Sequence, residues 1–193
     1  LDSWRAEIHA AVARAIETNE QTALDNQASL LAYHWDAAGD LPNALIWHQR
    51  AAETTEGHDA PASMRHWHRV REISGTMPPN RETLSTGSVS CSRILMLGWR
   101  LHSTDAESQQ IFDDGKRMAK EAGNTALIAL LYLGFGILRG VGLAYTDDYL
   151  SYTTEAARLV QELNDIELQS SVGSYLPWVH LTSGDLNSAS EVI

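Results

Sequence analysis

The chain has 193 residues, 44% of them hydrophobic and 20% charged, a balance that supplies a sizeable core and excludes a disordered tail. A net charge of −11 repels a phosphate backbone over most of the surface and excludes a nucleic-acid groove. The single cysteine, Cys91, excludes an internal disulfide or thiolate metal cage, and the longest apolar run, Ala126 to Leu138, falls short of the roughly 20 residues of a bilayer crossing. No membrane contact and a cytoplasmic location are therefore the default expectations.

With 24 Ala and 23 Leu against 8 Val and 10 Ile, helix is favoured over sheet. Trp4, Ile8, Val12 and Ile16 recur at helical spacing and mark a first helix. Leu24, Ala28, Leu31, Ala32, Trp35 and Ala38 mark a second, which Gly39 ends. Asp40 caps a third, with Pro42 in its first turn and Leu41, Ala44, Leu45, His48, Ala51 and Ala52 as its stripe. Met64, Trp67, Val70 and Ile73 give a fourth, closed by Gly75 and the Pro78-Pro79 pair. Thr86 to Ser92 is small and polar and reads as a weak stretch ahead of Ile94, Leu95, Leu97 and Leu101, the whole forming one long helix. Ile111, Met118 and Ala119 mark the next helix, ending at Gly123, and Ala126 to Arg139 reads as a buried one. Tyr149 to Leu163 and Leu168 to Val179 carry the period on, for about ten helices and no convincing strand.

A repeat runs through this pattern. Leu31, Ala32, Trp35, Gly39-Asp40-Leu41 and Ala44 reappear as Leu176, Pro177, His180, Gly184-Asp185-Leu186 and Ala189, each 145 residues on. That offset holds about four units of roughly 34–38 residues, the length range of the tetratricopeptide repeat. Trp35, Ala44 and Ala51 fall where that unit wants an aromatic residue and two small ones, and His48 takes a place usually filled by a bulky aromatic. The expected fold is all-α: an α-solenoid of antiparallel helix pairs in a right-handed superhelix. We expect one repeat domain over residues 1–193, with the first helix pairs in 1–77 and partly degenerate repeats in 80–193, cut from a longer protein.

The wording of the repeats carries a resemblance. LAYHWDAAGDLPNALIWHQRAAE at Leu31 to Glu53, MRHWHRVREI at Met64 to Ile73 and LGWRL at Leu97 to Leu101 resemble the tetratricopeptide region of bacterial predicted ATPases linked to class III adenylate/guanylate cyclase domains. The opening helix is similar to the one that follows the ATPase module there, and LuxR-type and other STAND regulators carry similar arrays. GSVSCSR at Gly87 to Arg93 departs from the family, which is richer in Leu and Ala there. The resemblance implies a non-catalytic interaction and sensing domain that takes up a protein or peptide segment, or the parent's own ATPase or cyclase module. The alternatives are the ligand-sensing domain of a LuxR-type transcriptional regulator, a small helical enzyme or metal-binding domain using its histidines, and an oligomerisation scaffold for a second copy.

Complete catalytic motifs are absent from the sequence. Gly115-Lys116 is followed by Arg117 where a phosphate loop needs Ser or Thr, and the glycines from Gly134 to Gly140 lie inside an apolar helix, where they permit close crossing. His66 and His68 point opposite ways on a helix, and His34, His48 and His58 meet no ligand spacing, so neither cofactor nor metal is expected. Asp147-Asp148 reads as a helix N-terminal cap. The resemblance places the binding groove on the first helices of the repeats, at Asn26, Ser29, Tyr33 and Asp36, and the offset carries those positions to Ser171, Ser174, Trp178 and Leu181. Tyr33 and Trp178 are its aromatic anchors. Arg65, Arg69 and Arg71, interleaved with His66, Trp67 and His68, form a second, basic patch able to take an acidic segment or phosphate; the plainer reading is a solvated helix face.

Overall fold

A computed structural model of the chain describes residues 2–19 and 24–184. The fold is all-α: among the described residues every regular element is helical, with ten α-helices, a short 3-10 turn and one π turn. Contacts group the chain into two compact units, Leu1–Pro79 and Asn80–Ile193.

The first unit holds α1 (Asp2–Asn19), the 3-10 turn Leu24–Gln27, α2 (Ala28–Ala37), α3 (Leu41–Thr55) and α4 (Ala60–Thr76). Each helix packs on the next in order, α1 on α2, α2 on α3 and α3 on α4. The sequence dictates the turns. Gly39 adopts φ +74°, the left-handed state that L side chains rarely take, and Asp40 and Asp59 accept from the Asn43 and Ala62 amides to start α3 and α4. Met64, Trp67, Val70 and Ile73 are all buried, as their spacing predicts, and so are Ala28, Leu31, Ala32, Trp35, Ala44, His48 and Ala51. Burying each large apolar side chain contributes about 1.5–3 kcal/mol, so Trp67 and its neighbours carry much of the stability of this unit.

Two expectations change here. Gly75 does not close α4, which runs on to Thr76 before Met77 turns extended, because a lone glycine weakens a helix without stopping it. The α1 stripe is largely open: Trp4 is 63% and Ile8 40% exposed, and Ala13 is the residue this helix buries fully. Helix α2 is the neighbour that α1 packs against, so one narrow strip of it is covered.

The second unit holds α5 (Arg81–Gly98), α6 (Asp105–Glu121), α7 (Thr125–Ile137) with its π turn Leu138–Gly142, α8 (Thr146–Gln161), α9 (Ile166–Gly173) and α10 (Leu176–Ser183). The stretch Thr86 to Ser92, weak in the sequence, is the buried heart of α5: Gly87, Ser88, Ser90, Cys91 and Ser92 are covered. Small residues are wanted there because neighbouring helices come close. A Cβ at Gly115 would lie 2.7 Å from Cys91 Cβ, and one at Gly134 would lie 3.1 Å from the Ser92 carbonyl. The glycines of α7 and its π turn do the same work, Gly136 against Tyr152 at 3.0 Å and Gly142 against the Trp99 Cα at 3.1 Å.

Helix α7 and its π turn make an apolar stretch, Thr125–Gly142, of 18 residues, longer than the run visible in the sequence and long and apolar enough to cross a membrane by length and composition. Half of it is buried inside the protein, and α5, α6, α8 and α9 pack on it. Asp147 and Asp148 lie in the first turn of α8 without capping it; Asp148 instead takes the Arg139 guanidinium. Gly184 ends α10 at φ +81°, matching Gly39 one offset earlier, while Asp185, Leu186 and Ala189 of the repeat lie outside the described residues.

Candidate functional site

The polar groups of the first unit are joined across three helices. Arg69 on α4 donates to both carboxylate oxygens of Asp36 on α2, at 2.8 and 2.6 Å, and to Glu72 at 2.8 Å. His48 on α3 brings Nε2 to 3.4 Å from Asp36 Oδ2, close to the carboxylate but without completing a hydrogen bond to it. Its Nδ1 meets His66 Nδ1 at 2.8 Å, and His66 Nε2 meets Ser29 Oγ at 3.1 Å.

The Asp36 carboxylate favours one placement of the protons along this chain. Asp36 is held ionised, first by the hydrogen bonds from Arg69 and then by the Arg69 charge, against an opposing effect of burial. An ionised carboxylate repels a lone pair, so Asp36 favours the tautomer of neutral His48 with its proton on Nε2, although that nitrogen completes no hydrogen bond, and in this tautomer Nδ1 accepts. His66 then donates from Nδ1 and accepts at Nε2, which makes Ser29 a donor. Burial lowers the pKa of both imidazoles, that of His66 to about 4, and keeps them neutral near pH 7.

Ser–His–His–Asp connectivity resembles that of an activated serine, but the electrostatics run the other way. A base activates a hydroxyl best when its pKa lies near the working pH. His66 sits far below, and the charge of Asp36 is already balanced by Arg69. The chain of hydrogen bonds acts as an interhelical lock that holds α2, α3 and α4 in register.

Ser29 also opens onto a cleft of about 240 Å³ lined by Asp25, Asn26, Ser29, Thr54, Thr55 and His58. The cleft sits between the 3-10 turn, the start of α2 and the C-terminal end of α3. Asp25 is paired with Arg50, an exposed ion pair in which Arg50 also lies 5.1 Å over the Trp47 ring.

The structure places the expected groove residues as follows. Asn26 and Ser29 are exposed at the cleft, and Tyr33 projects from α2 at 60% exposure, edge-on to His9 of α1. Asp36 is half-buried in its ion pair. Ser174 ends α9 with its hydroxyl donating to the Ser171 carbonyl, and Trp178 and Leu181 are exposed on α10 in the other unit. Of the basic patch, Arg65 is exposed and Arg71 half-buried, while Arg69 is neutralised by Asp36 and Glu72. Of the histidines, His34 pairs with His9 at 2.9 Å and His58 lines the cleft, so neither joins His48. Among the described residues no group of three His, Cys, Asp or Glu is set to hold a metal ion.

His66 was missed as a member of the site. A signal for it does exist: Ser29 and His66 stand 37 residues apart and Asp36 and Arg69 33, two similar offsets that both join α2 to α4. Compared with known protein families and with curated proteins, the chain matches none.

Proposed function

We propose that the chain is a helical-repeat interaction domain of the tetratricopeptide kind, which takes up a partner's peptide segment on the exposed face of α2 in its first unit. The observation that carries this reading is the division of α2 into two faces. Leu31, Ala32 and Trp35 are buried with Ala44, His48 and Ala51, the positions a tetratricopeptide pair buries, while Tyr33 stands 60% exposed on the other side. Exposed aromatics on a rigid helix are favoured anchors for a partner, because they offer large contact area at little entropic cost. The wording of the repeats adds the context: a cytoplasmic regulator in which the array receives a segment and controls an attached ATPase or cyclase module. We also propose that catalysis lies outside this chain; at Ser29, His66 with its pKa lowered to about 4 is a weak base.

The test is to select peptides from a displayed library on the purified chain and measure their Kd for the native protein, Tyr33→Ala and Trp178→Ala. Tyr33→Ala is expected to weaken binding at least tenfold, about 1.4 kcal/mol, with helicity unchanged. Trp178→Ala in the second unit is the comparison variant. An unchanged Kd for Tyr33→Ala would remove α2 as the binding face.

A further inference from the structure

We propose that the cleft beside Ser29 is a socket for a primary ammonium group, which fits the lysine side chain of a partner segment; this rests on the reading of α2 as the partner-binding face. In the tautomers that the Asp36 carboxylate favours, Ser29 donates its proton to His66 Nε2 and His66 donates from Nδ1 to His48. The Thr54 hydroxyl donates to the Ala51 carbonyl at 3.1 Å, and that of Thr55 donates to the same carbonyl at 2.7 Å. All three hydroxyls at the cleft therefore commit their hydrogens inward and leave lone pairs for whatever enters.

Charge points the same way. The cleft lies at the C-terminal end of α3, where the helix dipole favours a cation, and the last turn of α3 carries no basic side chain to answer it. Asp25 adds a carboxylate to the lining. An ammonium offers three donors and no acceptor, the complement of the Asp25 carboxylate and the three hydroxyl oxygens, while Asn26 and His58 complete the lining with groups that can also accept, and a volume of about 240 Å³ holds a four-carbon chain with its head group. Arg50 already pairs with Asp25, but both partners are well exposed, 41% and 62%, and such pairs are worth about 0–1 kcal/mol. Arg50 is thus an internal competitor that an incoming ammonium displaces from Asp25.

The experiment is an NMR titration of the isotope-labelled chain with Nα-acetyl-lysine methylamide, with Nα-acetyl-norleucine methylamide as the uncharged probe of equal reach. The lysine probe is expected to shift the amides of Asn26, Ser29, Thr54 and Thr55 to saturation, and the norleucine probe to leave them in place. Asp25→Asn should weaken the lysine probe by about fivefold, and Arg50→Gln should tighten it by a similar factor. Asp147→Asn, the same charge change in the other unit, should leave its Kd unchanged. Equal shifts from the norleucine probe, an unmoved Kd in both Asp25→Asn and Arg50→Gln, or an equal effect of Asp147→Asn would each overturn the assignment. Tyr33→Ala should leave the lysine-probe Kd unchanged, so failure of the α2 face and failure of the socket are separate results.

Discussion

The first unit brings its helices together around tryptophans and a chain of charged and titratable groups, whereas the second brings them together over glycine, serine and stacked rings. In the first, Glu17 of α1 accepts from the indoles of both Trp35 and Trp47, at 2.9 and 2.7 Å, and the Ser29 to Arg69 chain ties α2, α3 and α4. In the second, Phe112 and Phe135 stack at 4.5 Å with Tyr132 and Tyr152 edge-on or tilted around them, and Lys116 donates to the Tyr132 hydroxyl. Two packings of similar helices thus have different weak points. A hydrogen-bonded seam fails when a proton or partner is removed, and a close-contact seam fails when a methyl group is added.

The largest effect is expected at Gly140, where a Cβ would run into the Cβ and ring of Tyr149, the stiff base of a buried side chain. Gly140→Ala should cost about 3 kcal/mol in urea unfolding, with hydrogen-exchange protection lost first in α7 and α8. Equal early loss in α1 to α4 would show that the two units do not differ in their weak points. Glu17→Ala comes next: it strands two indole N–H groups on side chains that are 4% and 6% exposed and should cost about 2 kcal/mol, read as a lower Tm. No change in Tm would show that the polar seam of the first unit is decorative.

Acid sharpens the contrast further. His66 takes its proton near the ordinary 6.5 in the unfolded chain but at about 4 when folded, chiefly because of burial and then the neighbouring His48. Between those values the unfolded state binds more protons, so the stabilisation is whole above pH 6.5 and is lost as the pH falls toward 4. His34 and His48, also lowered first by burial, act in the same direction. The partial exposure of His66 screens the effect, which should be about 1–2 kcal/mol across that window. His66→Gln should flatten the slope of stability against pH, and a slope as steep as that of the native chain would assign the acid response elsewhere. The smallest effect is that of Tyr33→Ala on folding, within about 0.5 kcal/mol, since an exposed ring is little used by the fold. A larger loss would make Tyr33 part of the α1–α2 contact through His9 and not a docking side chain.

The helices and several of their turns are legible in local spacing. Periodicity in Met64, Trp67, Val70 and Ile73 names a buried face because side chains three and four apart share one side of a helix, and Gly39 and Gly184 name turns because only glycine enters the left-handed state freely. Helices tolerate isolated breakers and small polar runs, so α4 runs through Gly75 to Thr76, and α5 keeps Thr86 to Ser92 in one helix as expected but stops at Gly98, short of Leu101. Which faces are covered and which polar groups meet depends on how the helices pack. Trp4 and Ile8 look like core by spacing and stand exposed, because burial depends on how many neighbours a helix has and not on its own pattern. Ser29, Asp36 and Arg69 belong to one network through His48 and His66, side chains on three helices whose contact is set by the crossing of those helices. Local spacing encodes rotation about a helix axis; the partner across the interface is encoded in the packing of the whole unit.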